Sequence, residues 1–464
     1  MAKATRIHFE VSERKILLRL FDIIFVLLGI YFLELFFDYD YLVINQDHLV
    51  AIAVLIVYLN IFGSVFEIYD LQKASKIDVT FRNIVLTAST TVLIYLLTPV
   101  ITPFLPANRL QIIYFYVIII NAIFLWRVAY ITFISSPRFY KKVLLVGEIS
   151  NIESIIKPII QADPNYHIVG FINSEKELED PIKFKGLKEF RPEELKQVIL
   201  DYHISEILVA TYNPETITTD IYHELIALLE RGFVIREYTQ VYEELTNRVP
   251  IQFVGKDFYK YFPFSRSNQN ALYQFFHRLF DIVFSVLGLL FGIAISPLIL
   301  IGNVLGNRGP LFYVQERVGR NSELFRIFKL RTMAANSDQS VETWAEKGDL
   351  RITPFGNFLR RSRLDEIPQF INVLKGEMSI IGPRPERPYF VNELSRVIPF
   401  YETRHIVKPG LTGWAQVNYR YGASVDDSLV KLQYDLFYIK HRGLFLDLNI
   451  LVKTLSTILY YRGQ

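Results

Sequence analysis

A chain of 464 residues with 51% hydrophobic and 15% aromatic side chains and a mean hydropathy of +0.24 carries more apolar surface than a water-soluble protein buries. A formal net charge of +3, with no interleaving of basic and aromatic residues, gives no footing for a nucleic-acid partner. With 0 cysteines, a disulfide framework and a thiolate metal site are both excluded, and the composition is that of a membrane protein.

Four apolar stretches open the chain, roughly Ile16 to Phe37, Leu49 to Ile68, Ile84 to Ile101 and Ile112 to Ile134. Each approaches the ~20 residues that cross a bilayer as helix, with buried core helices as the alternative. Basic residues precede the first (Arg6, Arg14, Lys15), separate the second from the third (Lys73, Lys76, Arg82) and follow the fourth (Arg138, Lys141, Lys142). The connections Asp38 to His48 and Thr102 to Gln111 hold Arg109 alone. This asymmetry predicts a four-helix transmembrane bundle over 1–138 with both ends in the cytoplasm. No small-residue cleavage site follows the first stretch, so it does not read as a signal peptide.

From about Lys141 to Tyr261, short apolar strands alternate with helices. The strands are VLLVG (Val143 to Gly147), IVGFI (Ile168 to Ile172), EILVA (Glu206 to Ala210) and FVIRE (Phe233 to Glu237). Helices are expected near Ile149 to Ala162, Pro192 to Tyr202 and Thr219 to Arg231. The pattern predicts a doubly wound, Rossmann-like α/β domain over 139–265. Gly147 is followed by Glu148, Ile149 and Ser150 where a dinucleotide fingerprint needs further glycines. A scaffold, dimerising or regulatory role therefore fits better than cofactor binding.

Ile282 to Gly302 is an uncharged run long enough for a fifth span. Crossing would put everything from Asn303 onward, including the acids and arginines at 360 to 384, outside the cell. Arg278 precedes the run and Arg308, Arg317 and Arg320 follow it. Pro297 removes the hydrogen bond to the carbonyl of Ile293, at a cost of roughly 3 kcal/mol in a straight helix. A sharp bend relieves that cost, and Ser296 can bond back to the carbonyl of Gly292. The segment at about 278–303 is therefore expected to be a re-entrant helix broken at Ser296 and Pro297, with a kinked true span as the alternative. RLFDIIFVLLG (Arg19 to Gly29) is echoed by RLFDIVFSVLG (Arg278 to Gly288). Arg and Asp three apart can pair at the membrane surface. The echo signifies either a shared cytoplasmic approach or the common look of an interfacial helix start.

The stretch LDEIPQFINVLKGEMSIIGPRP, Leu364 to Pro385, sets two adjacent carboxylates beside an arginine-bearing loop. Asp365 and Glu366 follow a helical run bearing Arg360, Arg361 and Arg363, and Pro368 suits the first turn of a new helix. The acids are thus expected at a helix start, where free NH groups favour a bound phosphate. Ordinary N-capping is the competing role for such a pair. The 8 histidines show no zinc-ligand spacing. Gly413 and Trp414 suit a tight turn near the face that bears the acid pair, or a core tryptophan. The apolar tail Leu444 to Tyr461 can lie on the membrane or pack onto the domain.

HRLFDIVFSVLGLLFGIAISPLILI, GPLFYVQERVGRNSELFRIFKLRTM, DLRITPFGNFLRRSRLDEIPQFINVLKGEMSIIGPRPE and KPGLTGWAQVNYRYGAS occur in that order. They resemble the bacterial polyprenyl-phosphate sugar-phosphate transferases, the monotopic phosphoglycosyl transferases. With its four spans and α/β insert, the chain is similar to the larger subgroup that primes exopolysaccharide, capsule or O-antigen repeat units. The resemblance implies a mostly α catalytic domain over 266–464, on the cytoplasmic face of the bacterial inner membrane. It implies transfer of a sugar 1-phosphate from a UDP-sugar to undecaprenyl phosphate, with release of UMP. It makes Asp365 the nucleophile, Glu366 its partner and an Mg²⁺ ligand, and Lys329, Arg331, Arg360 and Arg384 the cations that bind substrate phosphate. Leu330 departs from the family's usual phenylalanine.

The chemistry agrees with that assignment. An aspartate of pKa near ~3.9 is ionised at neutral pH and needs no general base to attack phosphorus. It needs the donor's diphosphate neutralised, which Mg²⁺ and arginines supply. YGAS (Tyr421 to Ser424) resembles members handling UDP-glucose, and after it UDP-galactose, more than those handling N-acetylated sugars. For each basic residue a solvated surface charge is the alternative; for the chain it is a catalytically silent membrane platform for polysaccharide assembly. The bundle and insert leave room for a homodimer.

Overall fold

The computed structural model describes residues 11–37, 39–74, 77–134, 140–147, 152–163, 165–173, 187–211, 217–251, 270–307, 309–333, 351–419, 422 and 424–459. They form two compact units, Met1–Thr246 and Asn247–Gln464. In the first, α1 (Val11–Phe36), α2 (Leu49–Val65), α3 (Leu71–Ala74), α4 (Ile77–Leu96) and α5 (Leu110–Ala129) share a core around Leu18, Ile30, Leu55, Ile84, Tyr95 and Phe115.

Helices α1, α4 and α5 are long and apolar enough to cross a membrane, whereas α2 stops at 17 residues. The expected stretch to Ile68 is cut short because Glu67 turns into the left-handed region, φ 58°, and the Ile68 amide returns to the Gly63 carbonyl at 2.9 Å. Helix α4 begins at Ile77, well before Ile84, because its opening turns already have an inward face: Thr80, Asn83 and Thr87 are buried while Phe81 is exposed.

Arg19 and Asp22 of the echo do not pair. Asp22 takes Arg127 of α5 at 2.7 Å, and Arg19 lies over the Tyr69 ring, 4.9 Å from its centroid. In both copies of the motif, tertiary partners outcompete the neighbour along the helix. A buried Arg14–Asp163 pair joins α1 to the α/β part of the same unit.

That part is a parallel five-stranded sheet in the order β3-β2-β1-β4-β5, the doubly wound arrangement. The strands are β1 (Lys141–Gly147), β2 (Tyr166–Asn173), β3 (Lys188–Phe190), β4 (Glu206–Ala210) and β5 (Val234–Glu237). Helices α6 (Ile152–Ala162), α7 (Leu195–Tyr202), α8 (Thr219–Glu230) and α9 (Tyr238–Thr246) accompany them. Val143 to Val146 are fully buried, as expected of a parallel strand covered on both faces. The edge strand β3 and helix α9 were not foreseen. A Cβ on Gly147 would stand 2.3 Å from the Ala210 carbonyl oxygen, so this glycine answers to strand packing. The turn at Glu148, Ile149 and Ser150 lies outside the described residues.

The second unit begins with Val249 and Ile251 packed against Phe390, Leu394 and Leu432. Its long helix α10 (Ala271–Gly302) continues into a π turn, Asn303–Asn307. Helical structure runs unbroken through Pro297, and Ser296 Oγ donates to the Ile293 carbonyl at 2.8 Å, not to Gly292. That carbonyl is the one the proline leaves without a donor, so the serine repairs the ladder where it is broken.

One face of α10 lies on the domain throughout. Arg278 donates to the carbonyls of Val373 and Leu374, and Asp281 accepts from Ser379 and the Ile380 amide. A Cβ on Gly288, Gly292, Gly302 or Gly306 would press on Phe370, Ile367 or Phe355. These positions form two pairs, each four residues apart, a seam where small residues allow close approach. The opposite face exposes Leu287, Leu290, Phe291, Ile293, Leu298 and Ile301.

The remaining elements are a hairpin, β6 (Phe312–Val318) with β7 (Leu324–Leu330), α11 (Pro354–Arg361), α12 (Phe370–Lys375), and a parallel pair, β8 (Ser379–Ile381) with β9 (Gly410–Thr412). Helices α13 (Pro388–Val397), α14 (Trp414–Asn418), α15 (Val425–His441) and α16 (Leu444–Leu459) complete the unit. The apolar tail packs onto the domain through Ile450 and through Asp447, which accepts from Tyr273 at 2.6 Å. Trp414 is a core residue, stacked on Phe437 and donating to the Asn247 carbonyl.

Candidate active site

Helix α11 ends at Arg361, and Arg363 adopts the left-handed region with φ 58°. This residue is branched only beyond Cβ, but the conformation still carries strain of order 1 kcal/mol. It redirects the chain into a 3-10 turn, Leu364–Gln369, that holds Asp365 and Glu366 in its first turn. The expected helix start is corrected here. Pro368 falls inside the 3-10 turn, and α12 behind it has only 6 residues, so side chains and not a helix terminus supply the positive field.

Three cations converge on Glu366 Oε1: Arg384 at 3.1 Å, Lys329 at 3.4 Å and Arg363 at 3.6 Å. Lys329 comes from β7, and Arg384 from the loop after β8. Arg360 approaches from α11, its Nε donating to Thr332 Oγ1 at 2.9 Å. Arg331 is placed through its backbone, whose amide donates to the Leu311 carbonyl and whose carbonyl accepts from Asn307. Asp365 is 8% exposed, and its Oδ1 is buried without a hydrogen-bond partner.

The two acids are therefore unequal. Burial raises the Asp365 carboxyl to about 6, with Glu366 adding to the rise and Lys329, Arg363 and Arg360 opposing it. Burial acts upward on Glu366 as well, but Arg384, Lys329 and Arg363 together outweigh it and hold this carboxyl far below the usual range. Lys329 is itself depressed to about 8 by burial, against the pull of Glu366. Glu366 is a fixed anion locked among cations, and Asp365 is the acid with a free lone pair.

Among the described residues no cluster of three or more His, Asp or Glu side chains could hold a metal. Two adjacent carboxylates, one with an orphaned oxygen, still fit Mg²⁺, which commonly takes one or two carboxylates and completes its shell with phosphate and water.

Asn372 and Arg363 were not singled out beforehand as site residues. The fully buried Asn372 accepts from the Phe328 amide and donates to the Arg326 carbonyl, which fixes β7 and hence Lys329 over the acid turn. Nothing in an isolated asparagine signals that role. Arg363 was visible only as one more basic residue in the run. Tyr421 and Ala423 of YGAS lie outside the described residues.

Gly292 packs on Ile367, so a helix with one open apolar face touches the turn that bears an unpartnered carboxylate oxygen and a cage of cations. This sets a cation-rich acid pair against an apolar helix. The family model described as bacterial sugar transferase matches residues 272–461, within the second unit. A protein of Bacillus subtilis described as a putative undecaprenyl-phosphate N-acetylgalactosaminyl 1-phosphate transferase is 43% identical over 141 residues, 30% of this chain and 79% of that protein. The chain belongs to the bacterial sugar transferase family.

Two longer relatives are each 44% identical. A UDP-N-acetylgalactosamine-undecaprenyl-phosphate N-acetylgalactosaminephosphotransferase of Aeromonas hydrophila aligns over 47% of this chain and 51% of its own length. A UDP-glucose:undecaprenyl-phosphate glucose-1-phosphate transferase of Xanthomonas campestris aligns over 35% and 34%. The chain thus spans about half of the first and a third of the second.

Proposed function

We propose that this protein transfers a sugar 1-phosphate from a UDP-sugar to undecaprenyl phosphate at the cytoplasmic face of the bacterial inner membrane, as a first membrane step of surface polysaccharide synthesis. The observation that carries the reading is the buried, unpartnered Oδ1 of Asp365 inside a field of four cations, Lys329, Arg360, Arg363 and Arg384. A diphosphate is the anion such a field suits.

Asp365 attacks the β-phosphorus of the donor, the bond from that phosphorus to the bridging oxygen breaks, and UMP leaves. The sugar phosphate is then held on the Asp365 carboxylate. A phosphate oxygen of undecaprenyl phosphate attacks the same phosphorus and frees Asp365. Arg384 and Lys329 carry the charge that builds on the departing and transferring oxygens. Bound Mg²⁺, with Glu366 as its protein ligand, would neutralise the donor's diphosphate.

The placement of α10 supports access by a lipid acceptor. Arg278 at one end and Asn307 at the other are both tied to the same domain, an arrangement suited to a helix that dips into the membrane and returns. Asn321, exposed in the β6–β7 turn, gives the topological test. Asn321→Cys should label only from the cytoplasmic side, and labelling from outside would establish a fifth span.

The donor we assign is a hexose, glucose before galactose, on the YGAS resemblance. The relatives at equal identity carry names for both glucose and N-acetylgalactosamine. UMP release from UDP-glucose, UDP-galactose and UDP-N-acetylgalactosamine, with undecaprenyl phosphate and Mg²⁺, tests reaction and sugar together. Release from none of them would leave the chain a silent platform. Preference for the N-acetylated donor would overturn the hexose alone.

A further inference from the structure

Arg384 reaches Glu366 from a loop that has little regular structure of its own, yet one buried and one half-buried guanidinium group hold that loop by its backbone. Arg404, 6% exposed, donates to the Arg384 carbonyl at 3.1 Å, to Asp435 at 2.8 Å and to the Tyr401 hydroxyl at 2.7 Å. Arg317 of β6 donates to the next carbonyl, that of Pro385, at 3.1 Å, and to Gln315 at 2.8 Å. The Val318 amide donates to the carbonyl after that, Glu386, at 3.0 Å. Three successive carbonyls are thus taken by donors from two elements remote in sequence. A planar fork with several fixed donors suits this task, and a lysine ammonium does not.

Resting on the reading proposed above, we propose that Arg404 and Arg317 are positioning residues: they clamp the carbonyls of Arg384 and Pro385 and so aim the Arg384 guanidinium at Glu366 and the donor phosphate. Neither touches the acid pair. Asp435 serves the clamp by neutralising Arg404 where burial would otherwise leave its charge unpaired.

The test has two arms on the full-length protein. Amide hydrogen exchange at Val318 and Gly410, whose NH groups donate to the loop carbonyls of Glu386 and Pro383, should rise about tenfold in Arg404→Lys and Arg317→Lys, and stay near wild type in Ile450→Ala, a core variant that lowers stability elsewhere. In UMP release, Arg404→Lys should cost about tenfold in a wild-type background and almost nothing in an Arg384→Ala background, because two residues acting through one contact do not add. Unchanged loop exchange in both clamp variants, or additive losses in the cycle, would overturn the proposal. A wild-type protein that releases no UMP would sink the functional reading, and the exchange arm would still decide the clamp.

Discussion

Buried charge at the Glu366 turn is handled differently from that of the first unit. Among the described residues of the first, each buried acid has a single cationic partner: Arg14 with Asp163, Arg127 with Asp22, and Lys141 with Glu206, which also accepts from Tyr166 at 2.7 Å. The second also has such a pair, Arg404 with Asp435, but at its acid turn Glu366 holds three cations while the adjacent Asp365, with an unpartnered oxygen like that of Asp22, has no cation of its own among the described residues. Balanced pairs fasten helices and strands together. An unbalanced cluster keeps electrostatic capacity for a ligand that is not part of the chain.

If that contrast is right, the largest effect belongs to Asp365→Asn. Turnover should fall at least about a thousandfold with the melting temperature unchanged, because the amide keeps the shape and loses the nucleophile. Wild-type turnover by this variant would remove the distinction between the two kinds of buried acid.

Arg384→Ala comes next. Loss of one preorganised cation at a phosphoryl centre should cost about a hundredfold in kcat, read by UMP release at saturating donor. A change in KM alone would mean that this arginine binds donor and transition state equally.

The pH dependence is smaller over the physiological range. With its carboxyl raised to about 6, Asp365 is mostly ionised at pH 7, and kcat/KM should fall about tenfold per unit below 6 as the nucleophile is protonated. The stability sign is opposite. A carboxyl raised in the fold destabilises it when ionised, so protonating Asp365 relieves the fold, and the loss of rate should precede any acid unfolding. A rate that is flat down to pH 5 would contradict the raised value.

Gly288→Leu should act through packing. Its Cβ would stand 2.3 Å from the Phe370 ring, so overpacking should cost roughly 1–3 kcal/mol and a severalfold loss of turnover as α10 shifts from the acid turn. The smallest effect on turnover, none, is expected for Asp163→Asn. Stranding Arg14 should destabilise the first unit by roughly 3 kcal/mol in thermal melts while UMP release is retained.

Much of this was legible in the residues. The apolar stretches, the alternation behind the doubly wound sheet and the acid pair with its arginines are signals carried by local sequence. What escaped depended on contacts between distant segments. The early end of α2 follows from a left-handed Glu67 with Tyr69 folded back over Gly63, which hydropathy does not record. The inward face of α4 at Thr80 and Asn83 is polar and so was excluded from an apolar stretch. Arg278 and Asp281 were matched as a pair by spacing, yet one caps α12 and the other anchors β8. Asp365 and Glu366 could not be told apart in the sequence; only burial and the three cations on one oxygen separate them.

The most direct test of the central claim is mass spectrometry of the purified protein incubated with UDP-glucose and Mg²⁺ while undecaprenyl phosphate is withheld. The account predicts a hexose-phosphate adduct on the peptide that contains Asp365, released when acceptor is added. An adduct on any other residue, or full turnover with no adduct formed, would contradict it.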